Sequence, residues 1–421
     1  MTMDNPSLYA ERASTEISSA LAGVTRADVV VIGAGITGCS AALHLAESGR
    51  DVVVLDTHEV GWGASGRNGG QVNPGLKMPP EQVVRDFGEE RGARLVEAAW
   101  GAPDLVFELI GRHGIACEAV RGGTIRAATA MGQLGALWDL TGQCETRGGA
   151  VAWLDEAAMA ARTGTRVYVG GMIDARGGQV DPLAYTRGLA RAAVRAGARF
   201  FGGTRVRSVV RDGGMWRVGG EAGEVIARSV VVATNGYSGP LWEGLRRSVI
   251  PVFSAVVASA PLPSDVRGRI LAGREVLYEL GEITTYYRID AAGRLLMGGR
   301  SASRALRGVE AFPYLVRRAE GLWPDLHGMA WTHGWNGQLA LTLDHYPHWH
   351  QPAAGLLGCV GYNGRGVAMA TVLGRDIARV LAGAEPLFPV TGVRPVRLHF
   401  GWRAGVAAGI AWGRVKDRLA R

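Results

Sequence analysis

The sequence predicts a mixed fold, α/β at both ends of the chain and α+β in the middle. Three observations predict it. Near the start, two apolar runs (27–32 and 50–55) flank a glycine turn and a helix-patterned stretch (37–47), which reads as strand, turn, helix, strand. Near the end, an apolar run (356–361) leads through glycines into a second helix pattern (367–381). Between them, β-branched and aromatic runs alternate with turn residues, as in an antiparallel sheet.

Taken in order, 81–113 reads as helical with one buried face, 118–128 as extended, and 131–147 and 155–163 as helical. A long helix spans 181–196. It opens on Asp181-Pro182, where the carboxylate caps and the proline suits the first turn. Strands follow at 199–211, 215–219 and 225–233. The runs 249–260, 276–282, 284–290 and 294–299 form an antiparallel sheet, with 291–293 as a hairpin turn. The implied architecture is a discontinuous Rossmann-type dinucleotide domain (27–85, 175–245 and 336–385). An antiparallel-sheet substrate domain (86–174 and 246–335) is inserted in it. Residues 1–26 form an extension and 386–421 a tail with a helix.

The bulk numbers exclude several classes. A chain of 421 residues, 47% hydrophobic, buries a large core. Its 63 glycines are not periodic, which excludes collagen. They cluster at 61–70 and 361–366, as where backbone approaches a ligand. The net charge is +8, but the basic residues are scattered and match no nucleic-acid module. Cys39, Cys117, Cys144 and Cys359 form no C-x-x-C pair and read as buried thiols in a reducing compartment. No apolar run approaches the ~18 residues of a membrane span, and 1–26 lacks a signal core. The expectation is a cytoplasmic protein with no nucleic-acid partner, no metal and no membrane span, of open oligomeric state.

The chemistry starts at Gly33-Ala34-Gly35-Ile36-Thr37-Gly38, between the first strand and its helix. The first glycine permits the turn, the second lets a pyrophosphate approach, and the third lets helix and strand pack. The helix N-terminus offers N–H groups to phosphate. Asp56, followed by Thr57, ends the second strand at the spacing of a ribose-binding acid. That fingerprint fits NAD or FAD alike. Two further loops favour FAD. Gly61-Trp62-Gly63-Ala64-Ser65-Gly66-Arg67-Asn68-Gly69-Gly70-Gln71 suits a wrap around phosphate and a flat ring. Gly361-Tyr362-Asn363-Gly364-Arg365-Gly366 puts a second helix N-terminus where it stabilises charge on a reduced flavin.

These residues resemble the D-amino-acid-oxidase-like (DAO) superfamily of FAD-dependent amine oxidoreductases, and within it the gamma-glutamylputrescine oxidoreductases. Ser7-Leu8-Tyr9-Ala10, the 63–70 run, Tyr287-Arg288 with Gly293-Arg294-Leu295-Leu296, and 361–367 carry the resemblance. It implies that Gly33, Gly35, Thr37, Gly38 and Asp56 hold the ADP half of FAD. It gives Ala64, Ser65, Arg67, Asn68, Gly70 and Gln71, with Gly69 between them, to the pyrophosphate and ring. Val206 resembles a backbone contact to adenine, and Ala233, Thr234, Asn235 and Gly236 the turn closing the dinucleotide domain. Gly361, Gly364, Gly366 and Val367 resemble the flavin pyrimidine edge. Sarcosine oxidases attach flavin to a cysteine where this chain has Asn336-Gly337-Gln338, so non-covalent FAD is implied. Their carboxylate-binding lysine is matched by Ala368, which argues against a simple N-methyl amino acid. Their oxygen-activating lysine is matched by Leu296, leaving oxygen or another electron acceptor open.

The implied reaction is oxidation of a small amine's C–N bond by hydride transfer to flavin N5, then imine hydrolysis. Tyr286, Tyr287 and Trp335 are pocket candidates, each with core packing as its alternative. Because the two tyrosines alternate on a strand, only one faces the flavin. The pocket assignment taken forward is Tyr287, Trp335 and Arg365. Arg288 reads as structural or as a partner for a substrate acid. His345, His348 and His350 around Asp344 lack helical spacing, so a metal is not expected. Trp402, Val406, Ile410 and the run Trp412 to Val415 form an apolar stripe, with Arg403, Arg414, Lys416 and Arg418 alongside. Docking on the protein's own body, or on a subunit, is expected over a membrane surface. Two other readings stay open: a D-amino-acid dehydrogenase serving a membrane acceptor, and a flavin-binding subunit without catalysis.

Overall fold

The computed structural model describes residues 7–11 and 19–419, with the side chains of 418 and 419 outside it. Much of the N-terminal extension, and the Arg418 side chain, therefore lie outside the described residues. Two eight-stranded sheets carry the fold. The central strand of the first, Gly23–Ile32, is parallel to Val52–Leu55 on one side and Gly223–Val232 on the other. Arg199–Phe201 extends the sheet one way; Leu356–Val360 and the antiparallel His348–Ala353 extend it the other. The central strands are valine-rich and buried on both faces, as parallel strands under helices must be. Helix Ile36–Glu47 packs between Pro182–Arg195 and Gly366–Leu381 on one face. Asp181 caps Pro182–Arg195, accepting from the amides of Leu183 and Ala184.

The second sheet runs Trp331–Leu341, Ile250–Pro261, Arg294–Arg300, Thr285–Ile289, Val276–Glu279, Thr124–Ala128, Gly170–Asp174, Val151–Leu154. Only Val276–Glu279 and Thr124–Ala128 pair in parallel. Helix Pro313–Leu322 covers one face, burying Tyr287, Phe312, Leu315 and Trp323 in a separate core. The two sheets and their helices agree with the mixed fold class read from the sequence.

Several boundaries differ. The single helix expected over 81–113 is three: Pro80–Phe87, Glu89–Trp100 and Ala102–His113. Gly88, at φ 80°, leaves helical geometry and makes the first break. The strand expected over 199–211 is two, because Ser208–Asp212 leaves to form a hairpin with Met215–Gly219. The extended stretch 118–128 pairs as a strand only over Thr124–Ala128. Trp331–Leu341 registers against Ile250–Pro261 from Ser259↔Trp331 to Ile250↔Leu341. Residues 336–341 therefore stay on the second sheet and do not begin the last dinucleotide segment.

The C-terminal helix Trp402–Leu419 lies on the body. Trp402, Val406, Ile410, Gly413 and Asp417 form its inner face, while Trp412 and Val415 are exposed. Asp417 accepts from the backbone amides of Glu282 and Ile283 at 2.9 and 3.0 Å. Lys416 pairs with Glu282.

Candidate active site

The glycine turn is held by contacts that leave no room for side chains. Gly33 sits at φ 110°, and a Cβ there would lie 2.9 Å from the Ala233 carbonyl oxygen. At Gly38 it would lie 1.9 Å from the Gly33 carbonyl oxygen. Gly35, at the N-cap, brings no side chain of its own to helix Ile36–Glu47, so ligand atoms can approach the helix N-terminus. Asp56 reaches this loop: its carboxylate accepts from the Ala34 amide at 2.7 Å and the His58 amide at 2.8 Å. Burial pushes the Asp56 pKa up to about 6 despite those bonds. Ser65 brings the second loop in, accepting from the Ile36 amide at 2.9 Å.

A cavity of about 500 Å³ runs from this loop to the second sheet, a size that holds a cofactor or small molecule. Gly33, Gly35, Thr37, Asp56 and Thr57 line its first part, with Val206, Ala233, Thr234 and Asn235 beside them. Ala64, Ser65, Arg67, Asn68, Gly69 and Gln71 line the middle. Gly364, Arg365, Gly366 and Val367 line the far end. Four expected cofactor residues stand behind the wall instead. Gly38 packs on the Gly33 carbonyl, and Gly70, at φ 71°, packs on the Val180 carbonyl. The Gly236 carbonyl accepts from Gln338, and the Gly361 amide donates to the Asn235 side chain at 3.0 Å.

These residues fit a dinucleotide. The buried Nε of Arg67 has no hydrogen-bond partner among the described residues, while its guanidinium stacks 4.1 Å from the Trp62 ring. A cation held in that way suits an anion such as a pyrophosphate. Helix Gly366–Leu381 lacks a side-chain cap, and its N-terminus opens on the same cavity.

Two of the three pocket assignments need correction. Tyr287 does not line the cavity. It is fully buried in the second core, edge-on to Trp323 at 5.0 Å. Its strand neighbour Tyr286 faces the cavity and shares a 2.9 Å hydrogen bond with Ser254. The strand alternates, and helix Pro313–Leu322 covers the face that carries Tyr287. Trp335 is also fully buried, but behind the loop 61–71, donating from Nε1 to the Arg67 carbonyl at 2.9 Å. Arg365 does line the cavity. It donates to the Tyr278 hydroxyl at 2.7 Å and lies 4.8 Å from that ring. Tyr278 and Lys77 escaped the sequence reading, although Lys77 is one of only two lysines in an arginine-rich chain.

Arg288 is structural. It is buried and donates to the Gly69 carbonyl at 2.7 Å, Gln179 at 2.8 Å and the Tyr9 hydroxyl at 3.2 Å. Arg288→Met leaves those acceptors unpaired, so unfolding free energy falls by about 3 kcal/mol, as urea titration will read. Two of the three histidines are engaged: His348 pairs with Asp344, and buried His350 meets the Thr391 carbonyl. Among the described residues no cluster of metal-ligating side chains forms.

The sequence profile of the family described as FAD dependent oxidoreductase (DAO) matches residues 28–380. This chain belongs to the DAO family of FAD-dependent oxidoreductases. The flavoenzyme is 30% identical over 410 residues to the gamma-glutamylputrescine oxidoreductase of Escherichia coli, covering 93% of each chain. It is also 30% identical over 372 residues to the probable oxidoreductase OrdL of Haemophilus influenzae, covering 87% of this chain and 85% of that one. Its fold superposes on the crystal structure of glycine oxidase from Geobacillus kaustophilus with a TM-score of 0.73 at 23% identity. That superposition covers 89% of this chain and 99% of the other. No helix among the described residues of the flavoenzyme is long and apolar enough to cross a membrane.

Proposed function

We propose that this flavoenzyme oxidises the C–N bond of a small primary or secondary amine. One observation carries the reading: a single cavity joins the dinucleotide cradle to a chamber walled by Tyr278, Tyr286 and Arg365. The similarity to a gamma-glutamylputrescine oxidoreductase supports an amine as substrate. Bound FAD supplies the hydride acceptor, and the imine product hydrolyses in water. The chain's own residues hold and orient. Asp56 takes the ribose hydroxyls, Arg67 and Ser65 the pyrophosphate, and Asn68 and Gln71 the ring. The loop 364–367 flanks the pyrimidine edge. The cations Lys77, Arg300 and Arg365 disfavour an ammonium ion and so favour the neutral, reactive amine. Among the described residues no cysteine lines the cavity, which supports non-covalent FAD. The four cysteines are free and buried, which fits a cytoplasmic enzyme.

Anaerobic mixing with a panel of amines and amino acids tests this. At least one amine bleaches the flavin absorbance. A yellow holoenzyme that no amine bleaches overturns the reading and leaves a flavin-binding subunit without catalysis. A second reading, a D-amino-acid dehydrogenase passing electrons to a membrane acceptor, is favoured by one feature: Leu398, Phe400 and Trp412 are exposed beside Arg403 and Arg414. Quinone-dependent turnover on vesicles, with none on oxygen, distinguishes it.

A further inference from the structure

The cavity's charge is unbalanced. Among the described residues lining it, the only carboxylate is Asp56, already engaged by the Ala34 and His58 amides. Toward the second sheet the same cavity is lined by Lys77, Arg300 and Arg365. Arg365 is engaged by the Tyr278 hydroxyl. Lys77 and Arg300 have no ion-pair or side-chain hydrogen-bond partner among the described residues. The nearby acid, Glu282, pairs with Lys416 instead.

The two cations arrive from different elements. Lys77 precedes helix Pro80–Phe87, on the cofactor side. Arg300 ends strand Arg294–Arg300, on the second sheet. Arg300 also borders an adjoining space of about 320 Å³, walled by Phe253, Ile283, Leu343, Val406 and Ile410 and shared with His345. Lys77 is exposed and Arg300 half-buried. Even so, burial first, then Arg365 and Arg300, hold the Lys77 ammonium below the usual range. Burial does the same to Arg300. Lys77 and Arg300 share the larger cavity, and Arg300 and His345 the adjoining space. Tyr278 and Tyr286 add phenols and no fixed negative charge.

Two cations that line one cavity with no carboxylate beside them are complementary to negative charge on a ligand. A neutral amine with one carboxylate offsets one of them. An amine with two carboxylates offsets both. We infer that the substrate is an amine bearing two acidic groups, and that Lys77 and Arg300 are the residues that select it. This rests on the proposed amine oxidation, but its test does not require turnover.

Titrate the yellow holoenzyme with glutarate and with pentanoate, chains of equal length, and follow the flavin difference spectrum. Glutarate binds with a Kd at least about tenfold lower than pentanoate. Lys77→Met and Arg300→Met each remove that advantage, while FAD content stays at the parent value and the melting midpoint does not fall. Lys77→Arg retains it. Equal binding of the two acids, no spectral change with either, or an advantage that survives in either methionine variant overturns the inference. In the amine panel, bleaching by uncharged or monocarboxylate amines alone also overturns it while the amine-oxidase reading stands. Failure of every amine overturns that reading instead.

Discussion

Asp56→Asn lowers FAD affinity by about 100-fold, because it removes the charge from two or more charge-assisted hydrogen bonds of ~1.5–3 kcal/mol each. The geometry explains why an isosteric change is so costly. Both carboxylate oxygens accept backbone N–H bonds, from Ala34 and from His58. An asparagine offers one acceptor there and turns its amide nitrogen toward the other donor. The variant therefore loosens the glycine turn as well as losing the ribose partner. Isothermal titration of apoprotein with FAD reads the affinity directly.

The same residue sets a pH dependence. Its pKa in the folded chain is raised from 3.8 to about 6, with burial as the main cause. Between those values the folded apoprotein holds a proton that the unfolded chain has released. Apoprotein stability therefore falls as pH rises through that window, by on the order of 3 kcal/mol for a shift of this size. Above about pH 6 the carboxylate is ionised in a site that disfavours charge. Ribose hydroxyls relieve that cost, so FAD affinity rises with pH through the same range. Asp56→Asn flattens both profiles. Parallel profiles in parent and variant would assign the effect to other groups.

The dinucleotide half was legible because its information is local. Gly33, Gly35, Gly38 and Asp56 lie within one strand–helix–strand unit, and each residue type follows from a backbone demand. The substrate half was not, because its neighbours come from far along the chain. Alternation at 286–287 says that one tyrosine faces each side. It does not say which side helix Pro313–Leu322, some thirty residues later, will cover. Lys77, Arg300 and Arg365 converge from three separate segments, so no spacing rule joins them. Trp331–Leu341 was missed as a strand because its Thr-His-Gly and Asn-Gly-Gln stretches lack an apolar run. Its place comes instead from pairing with Ile250–Pro261.

Gly38→Ala and Gly111→Ala move the protein in opposite directions, though both put a methyl group on a helical glycine. Intrinsic propensity favours both changes, since alanine loses less backbone freedom on folding. At Gly111, exposed near the end of helix Ala102–His113, a Cβ meets nothing within 4 Å. Propensity alone decides there, and stability rises by roughly 0.5–1 kcal/mol. At Gly38 the same atom would lie 1.9 Å from the Gly33 carbonyl oxygen and 3.2 Å from a Val31 methyl carbon. The obstacle is backbone, so no rotamer relieves it. Helix Ile36–Glu47 must lift from strand Gly23–Ile32, costing up to ~3 kcal/mol in overpacking. That displacement carries the helix N-terminus away from the phosphate position. Gly38→Ala thus purifies with little or no bound FAD and melts several degrees lower, while Gly111→Ala keeps full FAD and melts slightly higher. The flavin absorbance ratio and a thermal melt read both. Full FAD in Gly38→Ala would mean that helix–strand contact does not set the phosphate site.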